Sequence, residues 1–159
     1  MEREIEIRIT DENPNLSRCF DKNVELISRI KVIDNATEKI LWDKLKDGIL
    51  SENYSLNKDK FSNFEELEFG ADYSIVTQRI TNFFKNKKQL ILAWFSNEKS
   101  LTTDSNTFIA NCEDFFCPSA DDLVVVNKNL HWVIYITHYE VFQLGQKLST
   151  FQKRPAPNK

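Results

Sequence analysis

Residues 123–137 read LVVVNKNLHWVIYIT, two apolar runs separated by the polar segment 127–129. Val, Ile, Trp and Tyr favour strands, and Asn favours the tight turn between two of them. The stretch therefore predicts a β-hairpin. The next apolar segment, 141–144, predicts one more short strand that ends at Gly145. An antiparallel sheet is thus expected in the C-terminal part of the chain.

Further strands are predicted upstream of this hairpin. Residues 89–95, QLILAWF, form a nearly continuous apolar run with the length of a central strand. Residues 2–10 alternate Ile with charged side chains, which indicates a strand with one buried face. The segment 51–62 is polar and rich in Lys and Asn, so it predicts a surface loop.

Helical spacing of apolar residues appears between these strands. It predicts a helix over 16–33, a second helix capped by Asp34 or Asn35, a third capped by Asp72, and a short one capped by Thr103 or Asp104. The inward stripes are Ile40, Leu41, Leu45 and Ile49 in the second helix and Ile75, Ile80, Phe83 and Phe84 in the third. We therefore predict a single α+β domain over residues 1–150, with helices packed on a mostly antiparallel sheet, and a flexible tail at 151–159.

Composition narrows the functional classes. Only three Gly are present, so no glycine-rich phosphate loop is expected. The three cysteines, Cys19, Cys112 and Cys117, are odd in number and lack disulfide-framework spacing. No export signal and no apolar run of about 20 residues is seen, so we expect a cytoplasmic protein without a membrane segment. The oligomeric state stays open.

Charge is unevenly distributed along the chain. The windows 61–78 and 100–127 hold nine of the 24 acidic residues and none of the 21 basic ones. Such polarity favours a basic partner, because opposed fields speed encounter. Nucleic acid is not the expected partner, since the sequence pI is about 5.5 and the basic segment 83–88 fits a helix end.

Two segments carry a family resemblance. Residues 115–125, FFCPSADDLVV, and 132–142, WVIYITHYEVF, resemble the immunity proteins of bacterial polymorphic-toxin and contact-dependent growth-inhibition systems, over about residues 90–145. The resemblance implies a non-enzymatic inhibitor, without cofactor or metal, that binds a cognate toxin domain such as a nuclease. No site pattern of a named family can be matched, so no residue role is transferred.

An inhibitor of a nuclease needs a rigid acidic face in place of phosphate, with aromatic side chains at the centre of the interface. We expect both kinds of residue to lie at the partner-binding surface. The candidates are Glu65, Glu66, Glu68, Asp72, Asp104, Glu113, Asp114, Phe115, Phe116, Asp121, Asp122 and Tyr139. An Asp at 121 or 122 can also hold a turn before the strand.

Catalytic and metal sites are the alternatives. His131 and His138 are seven residues apart and point to opposite faces of a straight strand, which argues against a shared metal. A small hydrolase or transferase that uses Cys117 or His138 with Asp121 or Asp122 is the alternative function. A buried thiol beside a turn is the simpler interpretation of Cys117. A regulatory binding module that pairs with another partner or with itself is the third possibility.

Overall fold

The computed structural model describes residues 4–11, 23–51, 55–95, 99–116 and 122–147, and it confirms the α+β fold. In chain order the elements are α1 (Val24–Arg29), β1 (Lys31–Val32), α2 (Asn35–Gly48), a 3-10 turn (Lys58–Lys60), β2 (Phe61–Glu68), α3 (Tyr73–Phe84), β3 (Leu90–Phe95), β4 (Leu101–Asp104), α4 (Ser105–Ala110), α5 (Cys112–Phe115), β5 (Leu123–Val126), β6 (Trp132–Ile136) and β7 (Val141–Lys147).

The strands form one sheet in the order β1-β4-β3-β5-β6-β7-β2. Every strand pair in it is antiparallel. The hairpin β5–β6 lies inside the sheet and β7 follows it directly. Although β2 comes early in the chain, it pairs with the last strand and forms one edge.

Helices cover both faces of the sheet. On the face that we call the α3 face, α1, α3, α4 and α5 pack on strand residues such as Val125 and Ile134. On the opposite face, the α2 face, α2 and residues 4–11 pack on strand residues such as Val124 and Val133. The central strands are buried on both sides, which explains why their sequences are apolar runs without alternation.

Several local predictions are confirmed. Asp34, Asp72 and Asp104 cap α2, α3 and α4, each accepting a hydrogen bond from a backbone N–H of the first turn. Both predicted hairpin strands form, and the strand at 89–95 is β3. The inward stripes are confirmed in part: Ile40 and Ile75 are exposed, and Val76 is buried in place of Ile75.

The predicted strand at 2–10 is wrong within residues 4–11. The Ile5 N–H donates to Lys128 O and the Thr10 N–H to Val32 O. This segment therefore runs from the β5–β6 turn to β1, and it makes only a single bridge, between Ile9 and Ile33. The segment has no continuous strand partner among the described residues, and Ile9 is about half exposed.

The predicted helix over 16–33 and the predicted loop at 51–62 need correction. In the described part of the former, only Val24–Arg29 is helical and Lys31–Val32 is a strand. The latter contains the 3-10 turn and the start of β2. The last strand does not end at Gly145 but continues to Lys147. The predicted tail lies outside the described residues, and so do Cys19, Cys117 and Asp121.

None of the helices within the described ranges has the length and apolar character required to cross a membrane.

Candidate functional site

A concave pocket of about 580 Å³ opens on the α2 face, beside the area that α2 covers. The ladder registers place the strand residues at and beside this pocket in rows across β6, β7 and β2. The first row, Val133–Gly145–Phe64, is mostly apolar; the next, Tyr135–Gln143–Glu66, is polar. We call this cavity the acidic pocket. Its lining consists of Ser55, Glu66, Glu68, Asp122, Tyr135, Thr137, His138, Tyr139, Val141 and Gln143.

Asp122 organises one wall of the acidic pocket. Its Oδ1 accepts the backbone N–H of His138 at 2.8 Å and lies 2.8 Å from His138 Nδ1. Its Oδ2 accepts the Tyr135 hydroxyl at 3.1 Å. In the neutral imidazole, this geometry places the proton on Nδ1, so that Nε2 carries the lone pair. The sequence predicts that Asp122 holds a turn before β5, but in the structure its Oδ1 hydrogen bonds go to His138 in the β6–β7 turn.

The β6–β7 turn presents the aromatic part of the pocket. The Glu140 N–H donates to Thr137 O, and the Thr137 N–H donates to Val141 O. Glu140 adopts a left-handed backbone with φ of 62°, as the closing residue of a three-residue hairpin loop does. Tyr139, at the tip, is 77% exposed. The turn therefore holds an aromatic ring out in solvent next to the carboxylates.

Gln143 and Glu66 form the floor. Gln143 is buried; its Oε1 accepts the Leu56 N–H at 2.9 Å and its Nε2 donates to Glu66 Oε2 at 2.5 Å. The hydrogen bond from Gln143 and, next, that from Lys58 lower the pKa of Glu66 below its ordinary value. The Lys58 ammonium lies 3.1 Å from Glu66 Oε1 at the rim. Glu66 is thus held ionised and in a fixed orientation.

The lining carries three carboxylates, Glu66, Glu68 and Asp122, and no Lys or Arg among the described residues. Four of the twelve residues predicted for partner binding therefore meet at the acidic pocket: these three and Tyr139. Carboxylates gathered in a concave site create a negative potential that attracts cations.

The other predicted acids within the described residues lie elsewhere. Glu65 is on the α3 face, in an ion pair with Arg79 at 3.0 Å. Asp72 and Asp104 are helix caps, and Asp114 on α5 accepts a hydrogen bond from the side chain of Asn23, the N-cap of α1. Glu113 is exposed on α5, which packs on the α3 face, and it does not line the acidic pocket. The predicted acids thus do not form one continuous surface.

Phe115 and Phe116, predicted as interface anchors, are buried in the core of the α3 face. Side chains that are 1% and 5% exposed present too little area to anchor an interface. Of the three predicted aromatic residues, Tyr139 is the one that is exposed.

Sequence reasoning missed Tyr135, Gln143 and Ser55 as pocket residues. One indication was present, since Gln143 interrupts an otherwise apolar strand. A buried glutamine side chain requires hydrogen-bond partners, and its presence in such a strand points to a polar network.

Neither a reactive thiol nor a metal centre is found in the described part of the chain. Burial raises the pKa of the Cys112 thiol to about 12, so it stays protonated at neutral pH. No group of three or more His, Cys, Asp and Glu side chains is arranged to hold a metal ion there.

No protein-family model, curated protein or solved structure matches this chain. Its function is therefore inferred from the acidic pocket.

Proposed function

We propose that this chain is a non-enzymatic immunity protein of the cytoplasm that binds and neutralises a cognate bacterial toxin domain, a nuclease, through the acidic pocket. The supporting observation is the meeting of Glu66, Glu68 and Asp122 with the exposed Tyr139 around one concave site. These residues come from three separate segments of the chain. They meet only in the fold, as a recognition surface requires.

The chemistry suits a partner with a basic surface. A nuclease binds phosphates with Lys and Arg, and carboxylates in a fixed arrangement occupy such a site in the same way. Glu66 is already ionised and oriented by Gln143, so little side-chain entropy is lost when a cation binds. Tyr139 supplies contact area at the centre with few rotatable bonds.

Co-expression with the product of the neighbouring open reading frame tests the proposal. We expect the chain to restore growth and to co-purify with that product. The double variant E66Q/E68Q keeps the shapes but removes two charges, and it should weaken the complex by about 2–5 kcal/mol. E113Q is the matched control, because Glu113 is exposed outside the acidic pocket. Undiminished toxicity without a stable complex would contradict the proposal.

A small hydrolase or transferase is the second candidate, because the Asp122–His138 contact leaves Nε2 of His138 available as a proton acceptor. Cys117 and Asp121, the other members of the predicted set, lie outside the described residues. Turnover of activated esters by the purified chain tests this candidate. Loss of turnover in H138Q, with H131Q unchanged, would favour it over the binding protein. Equal rates in both variants would remove it.

A further inference from the structure

The two edges of the sheet differ. At one edge β1 has two residues, and residues 4–11 pass along its outer side with hydrogen bonds such as Thr10 N–H to Val32 O. At the other edge β2 has eight residues and pairs only with β7. Within the described residues β2 is the long open edge, and an open edge is a template for another strand.

In an antiparallel pair, alternate residues direct their backbone N–H and C=O groups toward the partner strand, so the register shows which groups of β2 have no partner in β7. The Phe69 N–H donates to Glu140 O, so in this register Leu67 and Glu65 also direct their groups toward β7. The bond from Thr137 N–H to Val141 O agrees with this, since it shows that Val141 and, in the same register, Gln143 direct their backbone groups toward β6 rather than β2. The backbone N–H and C=O groups of Phe64, Glu66 and Glu68 therefore point outward from the edge of the sheet, away from β7.

At two of these open positions, Glu66 and Glu68, the side chain lines the acidic pocket. Glu66 lies opposite Gln143, and Glu68 lies opposite Val141, both on the α2 face. A strand added beside β2 would place its alternate side chains about 4.5–5.5 Å from Glu66 and Glu68. Cationic side chains at those positions would complement both carboxylates.

We propose, resting on the function proposed above, that β2 binds an extended segment of the protein partner as an eighth strand, with Lys or Arg at alternate positions facing Glu66 and Glu68. Backbone hydrogen bonds supply affinity and the paired charges select the segment. In the described part of the chain Glu68 makes no ion pair, and that of Glu66 with Lys58 is exposed and exchangeable.

The opposite face of β2 sets the intervening positions. Glu65 is already paired with Arg79, and Leu67 packs against the core of the α3 face. The intervening side chains of the bound segment are therefore expected to be apolar or neutral. This alternation distinguishes the partner segment from a uniformly basic peptide.

A second copy of this chain fits the edge poorly. Two β2 strands side by side would bring six glutamates, Glu65, Glu66 and Glu68 from each copy, to one junction. Like charges across neighbouring strands are destabilising. The charges that attract a basic strand therefore also oppose self-association, as charged edges do in other sheets.

An eight-residue peptide of alternating Lys and Val, with blocked ends, is the probe. We expect it to shift the amide resonances of β2 and to slow hydrogen exchange at Phe64, Glu66 and Glu68. Two further peptides carry backbone N-methyl groups either at every Lys or at every Val. We expect one of these two peptides to lose binding to β2 and the other to keep it. Only one set of N–H groups can face β2 while the Lys side chains face the glutamates.

E66Q/E68Q should weaken binding of the peptide by about fivefold, and E65Q should leave it unchanged. Equal effects of the two methylated peptides, or no change at β2, would overturn the inference. So would a dimer of the chain in sedimentation equilibrium with β2 protected. Growth rescue by a chain that does not bind the peptide would refute the edge site but not the inhibitor. Peptide binding without rescue would refute the inhibitor alone.

Discussion

Replacing Gln143 by Leu is the sharpest test of how the acidic pocket is built. Leu has nearly the same size and removes both side-chain hydrogen bonds, to the Leu56 N–H and to Glu66. Leu56 is 2% exposed, so its amide cannot be compensated by water. A buried donor left without a partner costs about 1–3 kcal/mol. The Glu66 side chain is 38% exposed, so its carboxylate recovers a hydrogen bond from water and adds little to the cost.

We therefore expect Q143L to lower the free energy of unfolding by about 1–3 kcal/mol, or the Tm by about 2–4 °C per kcal/mol for a domain of this size. Urea titration measures the first quantity and calorimetry the second. Hydrogen exchange should speed up at Leu56, the amide that loses its acceptor. E66Q is the control, because a glutamine at 66 can still accept the bond from Gln143 Nε2.

The same variant has a signature in pH. The bond from Gln143 is the largest cause of the lowered pKa of Glu66. A lowered folded-state pKa contributes stability above the unfolded-state pKa, about 4.3 for Glu, and that contribution is lost as pH falls through the folded-state value. Titration of Glu66 by NMR should show its pKa raised in Q143L. Surface substitutions usually change stability by up to about 0.5 kcal/mol. If Q143L lowers the free energy of unfolding by less than this and leaves the pKa of Glu66 unchanged, the reasoning is refuted.

Three further predictions concern the scaffold. G145A should lower the free energy of unfolding by about 1–3 kcal/mol in urea titration, because a Cβ there would lie 2.6 Å from Cγ and Cδ1 of the buried Phe61 ring. In G145A/F61A the clash is relieved although the packing of the ring is still lost, so the double variant should lose less stability than the sum of the two single variants. Additive losses would contradict this account. E140G should stabilise by up to about 1 kcal/mol in thermal unfolding, since Gly adopts the φ of 62° at the β6–β7 turn without strain, and a loss of stability would contradict it. D104A should cost about 0.5–2 kcal/mol at pH 7 through loss of the α4 cap. Burial would raise the pKa of Asp104, but the hydrogen bonds from Thr107 and Asn106 outweigh it and lower that pKa. The difference in unfolding free energy between wild type and D104A should therefore shrink as pH falls below about 3.9 and through the folded-state pKa. A constant difference from pH 7 to pH 2 would contradict this account.

The parts of the fold that depend on neighbouring residues were predictable from sequence. Asp34, Asp72 and Asp104 precede apolar helical spacing directly, and each caps a helix. The hairpin β5–β6 follows from two apolar runs and one turn. These features form from contacts within a few residues, where residue type alone determines geometry.

Strand β2 could not be predicted because its two faces have mixed chemistry. At its C-terminal end Glu65 and Leu67 share the α3 face, while Phe64, Glu66 and Glu68 share the α2 face. Each face carries both apolar and acidic residues, so no period-2 pattern emerges. The short strand β4 was missed for a related reason, since Thr102 and Thr103 are polar in sequence yet buried in the fold.

The acidic pocket lay beyond local reasoning, with one exception. Glu66 and Gln143 are 77 residues apart, and their contact follows from the crossing of β2 to the far edge. Asp122 and His138 are closer, and the hairpin relates them: with Leu123 opposite Ile136, Asp122 falls beside the residues that follow β6. Extending the predicted hairpin by one pair would have brought this carboxylate to the β6–β7 turn.

The rows across β6, β7 and β2 give the strongest reason to regard the acidic pocket as a recognition site. Val133, Gly145 and Phe64 continue the core under α2, and an apolar second row would have extended that core at a gain in stability. The chain instead has Tyr135, Gln143 and Glu66 there, joined to Asp122 and Leu56 by hydrogen bonds. Polar networks of this kind contribute little net stability compared with apolar packing. Departures from the most stable choice concentrate where a protein binds. This row, rather than the count of acids along the chain, therefore supports the proposal that a partner contacts the acidic pocket.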